Sequence, residues 1–445
     1  MYFYAQCFFR AVLIVVLFFP LMYFFPILYV PRMSQLWWKY LRFTLETLGA
    51  SWIKLGQWAS TRRDIFPVEF IDYISKLCYR CPAHDFAYTQ KLIETTYAKK
   101  MEDLFVYFER VPLASGAIGQ VYRARLREGK QIVVKVLHPT VEATLDVDLA
   151  LMAFFAHVIE MLPGMKWLSL CDAIAQFSIS MKAQSDFQIE ANNLKTFQEH
   201  FKGHPDVVFP SLVEALPATR GVLAETFEEG EVLQNSKYLR AVSPESVKLA
   251  KIGLDAYLKM MLLDNFVHAD LHPGNILVRK NEKGKLGLVF LDVGLVSHLS
   301  PSDFEHFKLL FKAIVQREGK HGAKLMVQFA KDHNLTPEEE ERFVNDMDAI
   351  FQDVRSKKMS EIRVGEFLSA VLDTVRMNHV KIEGNFSTLC VGTVVLEGIG
   401  RQLDPELNIL DASLPILVQG DVIPEDNAFK RRALWEKLKY TFGFK

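Results

Sequence analysis

Two short apolar runs constrain this chain more than any other feature. One reads Phe266-Val267-His268-Ala269-Asp270-Leu271-His272-Pro273-Gly274-Asn275-Ile276-Leu277-Val278, the other Val289-Phe290-Leu291-Asp292-Val293-Gly294. Each is strand-like and each delivers polar residues at one end. His268-x-Asp270, with Asn275 five residues after the Asp, has the spacing of a phosphotransferase catalytic loop. In such a loop the Asp orients the acceptor and the Asn binds metal. Asp292 then stands where a kinase-like fold places its second metal carboxylate. Mg²⁺ on a nucleoside triphosphate takes few protein oxygens, so Asn275 and Asp292 complete a set with Asp270. A lone H-x-D-x-x-x-x-N also arises by chance, and an Asp closing an apolar strand also serves as a turn former. The reading therefore needs a phosphate-binding end elsewhere.

Residues 111–138 supply a candidate. Residues 111–114 and 119–126 read as extended, 131–137 is an apolar β-branched run, and Glu128-Gly129-Lys130 makes the turn. Between the first two lies Ser115-Gly116-Ala117-Ile118-Gly119, small residues that let backbone N–H groups approach phosphate oxygens. Lys135 sits inside Val133-Val134-Lys135-Val136, where an ammonium is costly unless it finds a partner. A strand Lys after a small-residue loop is the kinase arrangement for gripping the α- and β-phosphates. Its expected carboxylate is Glu190, 55 residues on, in a segment where Phe187, Ala191 and Leu194 have helical spacing. Residues 144–182 read as a helical insertion between the two. The competing reading leaves Glu190 on a solvated helix face. The apolar strand around Glu225 and Phe227 enters a linker, where a hinge meets adenine through backbone groups; a buried strand edge looks the same.

These residues together resemble the UbiB/aarF-domain (ABC1-like) atypical kinase family, and within it the divergent mitochondrial type 2 branch. Ile53-Lys54-Leu55-Gly56-Gln57 carries the K-x-G-Q signature of that family, which ordinary kinases lack. Residues 112–120 resemble its alanine-rich loop, and Lys135, Glu190, His268 to Asn275 and Asp292 to Gly294 follow in its order. The resemblance covers residues 46–300. It implies that Lys135 binds phosphates and pairs with Glu190, that Asp270 is the catalytic-loop Asp, and that Asn275 and Asp292 ligate Mg²⁺. Ser115, Gly116, Ala117, Gly119, Glu225 and Phe227 would complete the ATP site. Lys54 and Gln57 would come from a helical extension covering the groove where a peptide would lie. The implied activity is ATPase or small-molecule phosphotransfer in ubiquinone biosynthesis or mitochondrial lipid metabolism. The implied partners are ATP, a membrane lipid or quinone-pathway intermediate, and a lipid-biosynthesis protein complex. Three departures stand out: Gln184-Ser185-Asp186 where the family has E-x-D, Gly116 in the alanine-rich loop, and D-V-G for D-F-G. An ATP-binding pseudokinase scaffold, and a kinase of the aminoglycoside or choline type, remain alternatives; the latter enzymes lack K-x-G-Q.

No A-P-E sequence follows Asp292; Ser300-Pro301 instead reads as a helix N-cap and first turn, leaving no room for an activation segment. Ser243-Pro244 starts another helix in the same way. Residues 11–30 contain no charge, and 14 of them are Val, Leu, Ile or Phe. That is the length of a membrane-spanning helix, favourable by about −4 to −8 kcal/mol at mid-bilayer. Arg10 lies alone on one flank and Arg32, Lys39 and Arg42 on the other, which favours the catalytic part on the matrix or cytosolic side. The location expected from the resemblance is a mitochondrial membrane, the inner one, crossed once. A net charge of −1 without a long basic run gives no reason to expect nucleic acid. Cys78-Tyr79-Arg80-Cys81 has no second pair at zinc-ribbon spacing, and residues 430–445 form a basic, aromatic tail.

The expected fold is α+β: a two-lobed protein-kinase-like core with an N-terminal transmembrane helix. Residues 1–32 form the anchor and 33–104 the helical extension with K-x-G-Q. Residues 105–230 form the small lobe with its helical insertion, and 231–445 the helical large lobe with the catalytic loop. Lys135, Asp270, Asn275 and Asp292 are expected to converge on one magnesium-bound triphosphate.

Overall fold

The computed structural model describes residues 2–26, 34–60, 68–74, 83–163, 169–280, 284–316, 318–329, 335–356, 363–378, 380, 384–409, 412–413 and 416. The C-x-x-C of Cys78 and Cys81 and the 430–445 tail lie outside them. The fold is α+β and divides into two compact units: residues 1–195 with 210–227, and residues 196–209 with 228–445.

The first unit is built on an antiparallel sheet of strands Phe105–Phe108, Gly119–Leu126, Gln131–Leu137 and Val222–Thr226, in that order, with the short Ala114–Ser115 strand on the second. Its two faces have different chemistry because side chains alternate along a strand. Ile132, Val134, Val136, Tyr122 and Ala124 face one way and bury with Ile93 of the Phe86–Tyr97 helix. Leu137 and Leu223 pack on the other side with Phe187 and Ala191 of the Phe187–His200 helix. Lys135 lies on that second face. Gly129 closes the 126–131 turn at φ +86°, a conformation glycine adopts without strain.

The expected helical insertion is present as helices Pro139–Glu160 and Leu170–Gln184. They share a core with the N-terminal helices Tyr2–Tyr23, Ser34–Leu48 and Ala50–Ala59, through Ile14, Leu21, Leu45, Trp52, Leu145, Leu149, Phe177 and Met181. The first of these helices differs from the expected 11–30 span: it begins and ends earlier and contains Arg10. The charge is tolerated because Asp148, almost wholly buried on the insertion helix, accepts from Arg10 Nε at 2.7 Å and Nη2 at 3.0 Å, and Leu48 O accepts from Nη2 as well. Residues 3–23 form a helix long and apolar enough to cross a membrane, and its outer side leaves Phe8, Phe9, Val16, Phe19 and Met22 exposed.

The second unit places the helix Pro244–Leu262 against a sheet ordered Val207–Val208, Leu286–Phe290, Ile276–Lys280, Glu231–Val232. The Ser243 capping box and Pro244 start that helix as expected. Ser300 accepts from the Asp303 N–H at 3.2 Å ahead of helix Pro301–Gln316. Helices Gly319–Phe329, Pro337–Ser356, Val364–Met377 and Gly384–Leu403 follow.

Gly119 is the tightest position near the small-residue loop: a Cβ there would drive into the Val136 carbonyl of the paired strand. Gly119→Ala should therefore cost about 1–3 kcal/mol, as overpacking does. The denaturation midpoint measures this, and an unchanged midpoint would show that the two strands part freely at that end.

Candidate functional site

In the first unit, Lys135 is the centre. Its Nζ bonds the Glu190 carboxylate, and Glu225 Oε2 lies 3.6 Å away. The side chains of both glutamates are 4% exposed and that of Lys135 13%, so the ammonium and both carboxylates are buried together. The sheet register explains it. Lys135 pairs with Leu223 and Val133 with Glu225, which makes Lys135 and Glu225 diagonal neighbours on one face. Glu190 comes from the first turn of its helix, whose Phe187, Ala191 and Leu194 are buried as their spacing predicts.

The second carboxylate was not anticipated. Besides the backbone role expected of it at a hinge, Glu225 enters the cluster by its side chain. Phe227 donates its N–H to Gln131 O at 3.2 Å, and its ring is covered by the Arg123 guanidinium at 4.4 Å. The signal was available: Glu225, like Lys135, is a charged residue within an apolar strand.

The small-residue loop lies next to this sheet edge. Gly116 donates its N–H to Gly119 O at 2.9 Å, which folds residues 116–119 into a tight turn. Ser115 Oγ is buried and has no hydrogen-bond partner among the described residues. A buried orphan hydroxyl is costly unless a ligand oxygen completes it, so the loop fits a phosphate group. Ala117 is half-buried there. Lys54 and Gln57 lie one turn apart on the half-buried side of helix Ala50–Ala59, with Gly56 buried between them. Of the family departures, Gln184 bonds its own helix at Ser180 O (3.5 Å), while Asp186 accepts from the Gln188 N–H at 2.9 Å and caps the Glu190 helix.

In the second unit, His268 organises the 268–275 loop. It is almost wholly buried, and its Nε2 donates to Leu291 O at 3.0 Å. Its Nδ1 then accepts from the Asp270 N–H at 3.2 Å, which is possible only for the neutral ring. Burial pushes the His268 pKa down, and the Leu291 carbonyl and the charges of Asp270 and Asp292 offset that only in part. Asn275 Nδ2 donates to Asp270 O at 3.1 Å, so the amide nitrogen is engaged and its oxygen is the atom suited to a hard cation. Leu291 N–H bonds Asn275 O at 2.9 Å, so the Asp292 segment is tied to the loop. Asp292 is exposed and adopts φ +53°, a left-handed conformation uncommon for a residue with a side chain. Val293 behind it is 1% exposed and fills the position of the D-V-G apolar residue. Oxygen donors from one Asn and one Asp suit Mg²⁺, which takes its remaining ligands from water and phosphate. Thus the structure brings Lys135, Glu190 and Glu225 together in one unit, and Asp270, Asn275 and Asp292 together in the other.

The family model for the ABC1 atypical kinase-like domain matches residues 76–326, and that for the UbiB helical domain matches residues 347–408. A protein of Dictyostelium discoideum named probable serine/threonine-protein kinase abkC is 38% identical over 91% of this chain and 68% of its own length. A mitochondrial ABC1 family protein of Schizosaccharomyces pombe is 32% identical over 86% of this chain and 65% of its own length. The chain thus spans about two thirds of the length of these relatives. Among solved structures, the complex of Rv3197 with erythromycin from Mycobacterium tuberculosis aligns over 79% of this chain and 91% of that one, with 17% identity and a TM-score of 0.45. The chain belongs to the ABC1/UbiB family of atypical kinase-like proteins.

Two measurements probe these clusters. Lys135→Ala removes the ammonium from two buried carboxylates and should cost about 3–5 kcal/mol in urea unfolding; a loss under about 1 kcal/mol would mean that the cluster is solvated. Acid should also destabilise the protein. His84, His138, His204 and His268 all have folded pKa values below the ordinary 6.5. The unfolded chain therefore binds more protons just below pH 6.5, and stability is full above that pH and lost as pH falls beneath it. The urea midpoint should drop between pH 7 and pH 5, and a flat profile would contradict the buried neutral rings.

Proposed function

We propose that this chain binds Mg²⁺-ATP and uses it as an atypical kinase or ATPase at a mitochondrial membrane, in ubiquinone biosynthesis or mitochondrial lipid metabolism. The observation that carries the reading is the buried contact of Lys135 with Glu190. A strand lysine held by a helix glutamate is the pair that kinases use to grip the α- and β-phosphates. Loop 115–119, with its orphan Ser115 hydroxyl, would receive phosphate oxygens. Asn275 and Asp292 would hold Mg²⁺, which when bound neutralises charge on the β- and γ-phosphate oxygens. Asp270 would orient the acceptor hydroxyl. Lys54 and Gln57 would cover the groove that a peptide needs, which favours a small or lipid-like acceptor such as a quinone-pathway intermediate. The mitochondrial name of the fission-yeast relative and the apolar helix at residues 3–23 support the membrane location, with the inner membrane and a single crossing as the specific form. A lipid-biosynthesis protein complex would be the natural setting.

The test is nucleotide binding and hydrolysis by the purified protein, with and without lipid vesicles and quinone-precursor analogues. Asp292→Asn should weaken Mg²⁺-dependent ATP binding at least about tenfold, since even residues behind a metal ligand cost 10–100-fold. Equal Mg²⁺-ATP binding by wild type and Asp292→Asn would overturn the metal assignment.

A further inference from the structure

Behind the small-residue loop runs a chain of buried polar groups that no expectation from sequence included. His138, at the end of the Lys135 strand, touches the loop twice. Its backbone N–H donates to Ile118 O at 2.9 Å, and its Nε2 lies 3.0 Å from Gly116 O. Its Nδ1 lies 2.7 Å from His84 Nδ1, and the two rings meet edge to face at 86°. His84 Nε2 is 2.8 Å from Thr89 Oγ1, which is 2.9 Å from the Tyr122 hydroxyl. The Gln120 amide closes the chain, bonding the Tyr122 hydroxyl and donating to His84 O at 3.2 Å; its oxygen accepts from the His84 N–H at 3.1 Å. Thr89, Gln120, Tyr122 and His138 are all buried.

The donors fix every proton in this chain. A carbonyl only accepts, so His138 carries its proton on Nε2. A neutral His138 then has a lone pair on Nδ1 and must accept from His84 Nδ1–H. His84 Nε2 accepts in turn from the Thr89 hydroxyl, Thr89 accepts from the Tyr122 hydroxyl, and Tyr122 accepts from the Gln120 amide. The last link cannot reverse, because an NH₂ group has no acceptor capacity. With both histidines neutral, every link has one donor and one acceptor. Burial lowers both pKa values, that of His84 to about 4, with the neighbouring His138 adding to the shift and Asp85 opposing it; Tyr88 and, through it, Glu142 are the other titratable groups nearby.

We propose that His138, held in one tautomer by His84, is a positioning residue that aims the backbone of loop 115–119 at a phosphate group. In a planar trans peptide the C=O and N–H point in opposite directions. Turning the Gly116 carbonyl toward His138 therefore turns the Ala117 N–H away from it, toward the side from which a ligand would approach. Holding Ile118 O through the His138 backbone sets the far end of the same turn. A free loop of small residues would lose much of its affinity to ordering; one pre-set from behind does not. The proposal rests on the phosphate-binding reading of this loop.

The test uses the whole chain with His138→Phe, which keeps an aromatic ring without the donor, and His138→Gln, whose amide can donate to the same carbonyl. Affinities for Mg²⁺-ATP, Mg²⁺-ADP and adenosine are measured at pH 7.5, alongside hydrogen exchange of the peptide spanning 113–120 without nucleotide. His138→Phe should weaken ATP and ADP about tenfold or more, leave adenosine within about twofold, and raise exchange in the loop; His138→Gln should recover most of both effects. His84→Phe, should His138→Phe fail to fold, is expected to shift ATP in the same direction. Equal loss for adenosine and ATP would mean general damage and overturn the proposal, as would unchanged ATP affinity in a folded His138→Phe. A wild type that binds no nucleotide, with loop exchange still raised by His138→Phe, would remove the phosphate ligand while leaving the clamp itself.

Discussion

The ammonium of Lys135 is the constraint on which the first unit depends. An apolar strand that carries a lysine has one workable register. Slipping the Gln131–Leu137 strand by one residue would exchange its faces and put that charge among Ile93 and Tyr122. In the observed register the same side chain meets Glu190 and Glu225. Strand register, docking of the Phe187–His200 helix and the proposed phosphate contact are thus set by a single residue.

The second unit solves a different problem, that of holding three oxygen-bearing residues in place on short irregular backbone. Its answer is a neutral, buried imidazole. His268 reads one carbonyl and one N–H at once, joining the Asp270 turn to the Leu291 segment. Asn275 ties back to the same turn, and Asp292 is left in a left-handed conformation just past its apolar strand. The long helices that follow carry the residues matched by the UbiB helical domain, and the last of them, Gly384–Leu403, packs on the Pro244–Leu262 helix, accepting at Leu403 O from the Ser246 hydroxyl at 2.8 Å and at Leu389 O from the Tyr257 hydroxyl at 3.3 Å.

How much was legible follows from the range of the interactions. Lys135 and Glu190 could be paired from sequence because each is anomalous where it stands, one charged in an apolar strand, the other on a helix with a clear buried face. The 268–275 loop stands out in the sequence because its spacing is local. The side-chain contact of Glu225 with Lys135 was not legible, since it depends on which strand lies beside Lys135, a fact of sheet order rather than of sequence. The His84 to Gln120 network was invisible for the same reason: its members are scattered over five separate positions from 84 to 138, and each alone is an ordinary polar residue. The helix at Tyr2–Tyr23 was displaced in the reading because an arginine looks like a boundary until its buried partner, 138 residues away, is known.

That arginine has a further consequence. A guanidinium fork gripping Asp148 from one side and the end of the Ser34–Leu48 helix from the other is a bolt, not a leash. Whatever surface receives the greasy flank of the N-terminal helix must take the rest of its unit at a set tilt and height, so reach and orientation are decided by packing rather than by the slack of a linker.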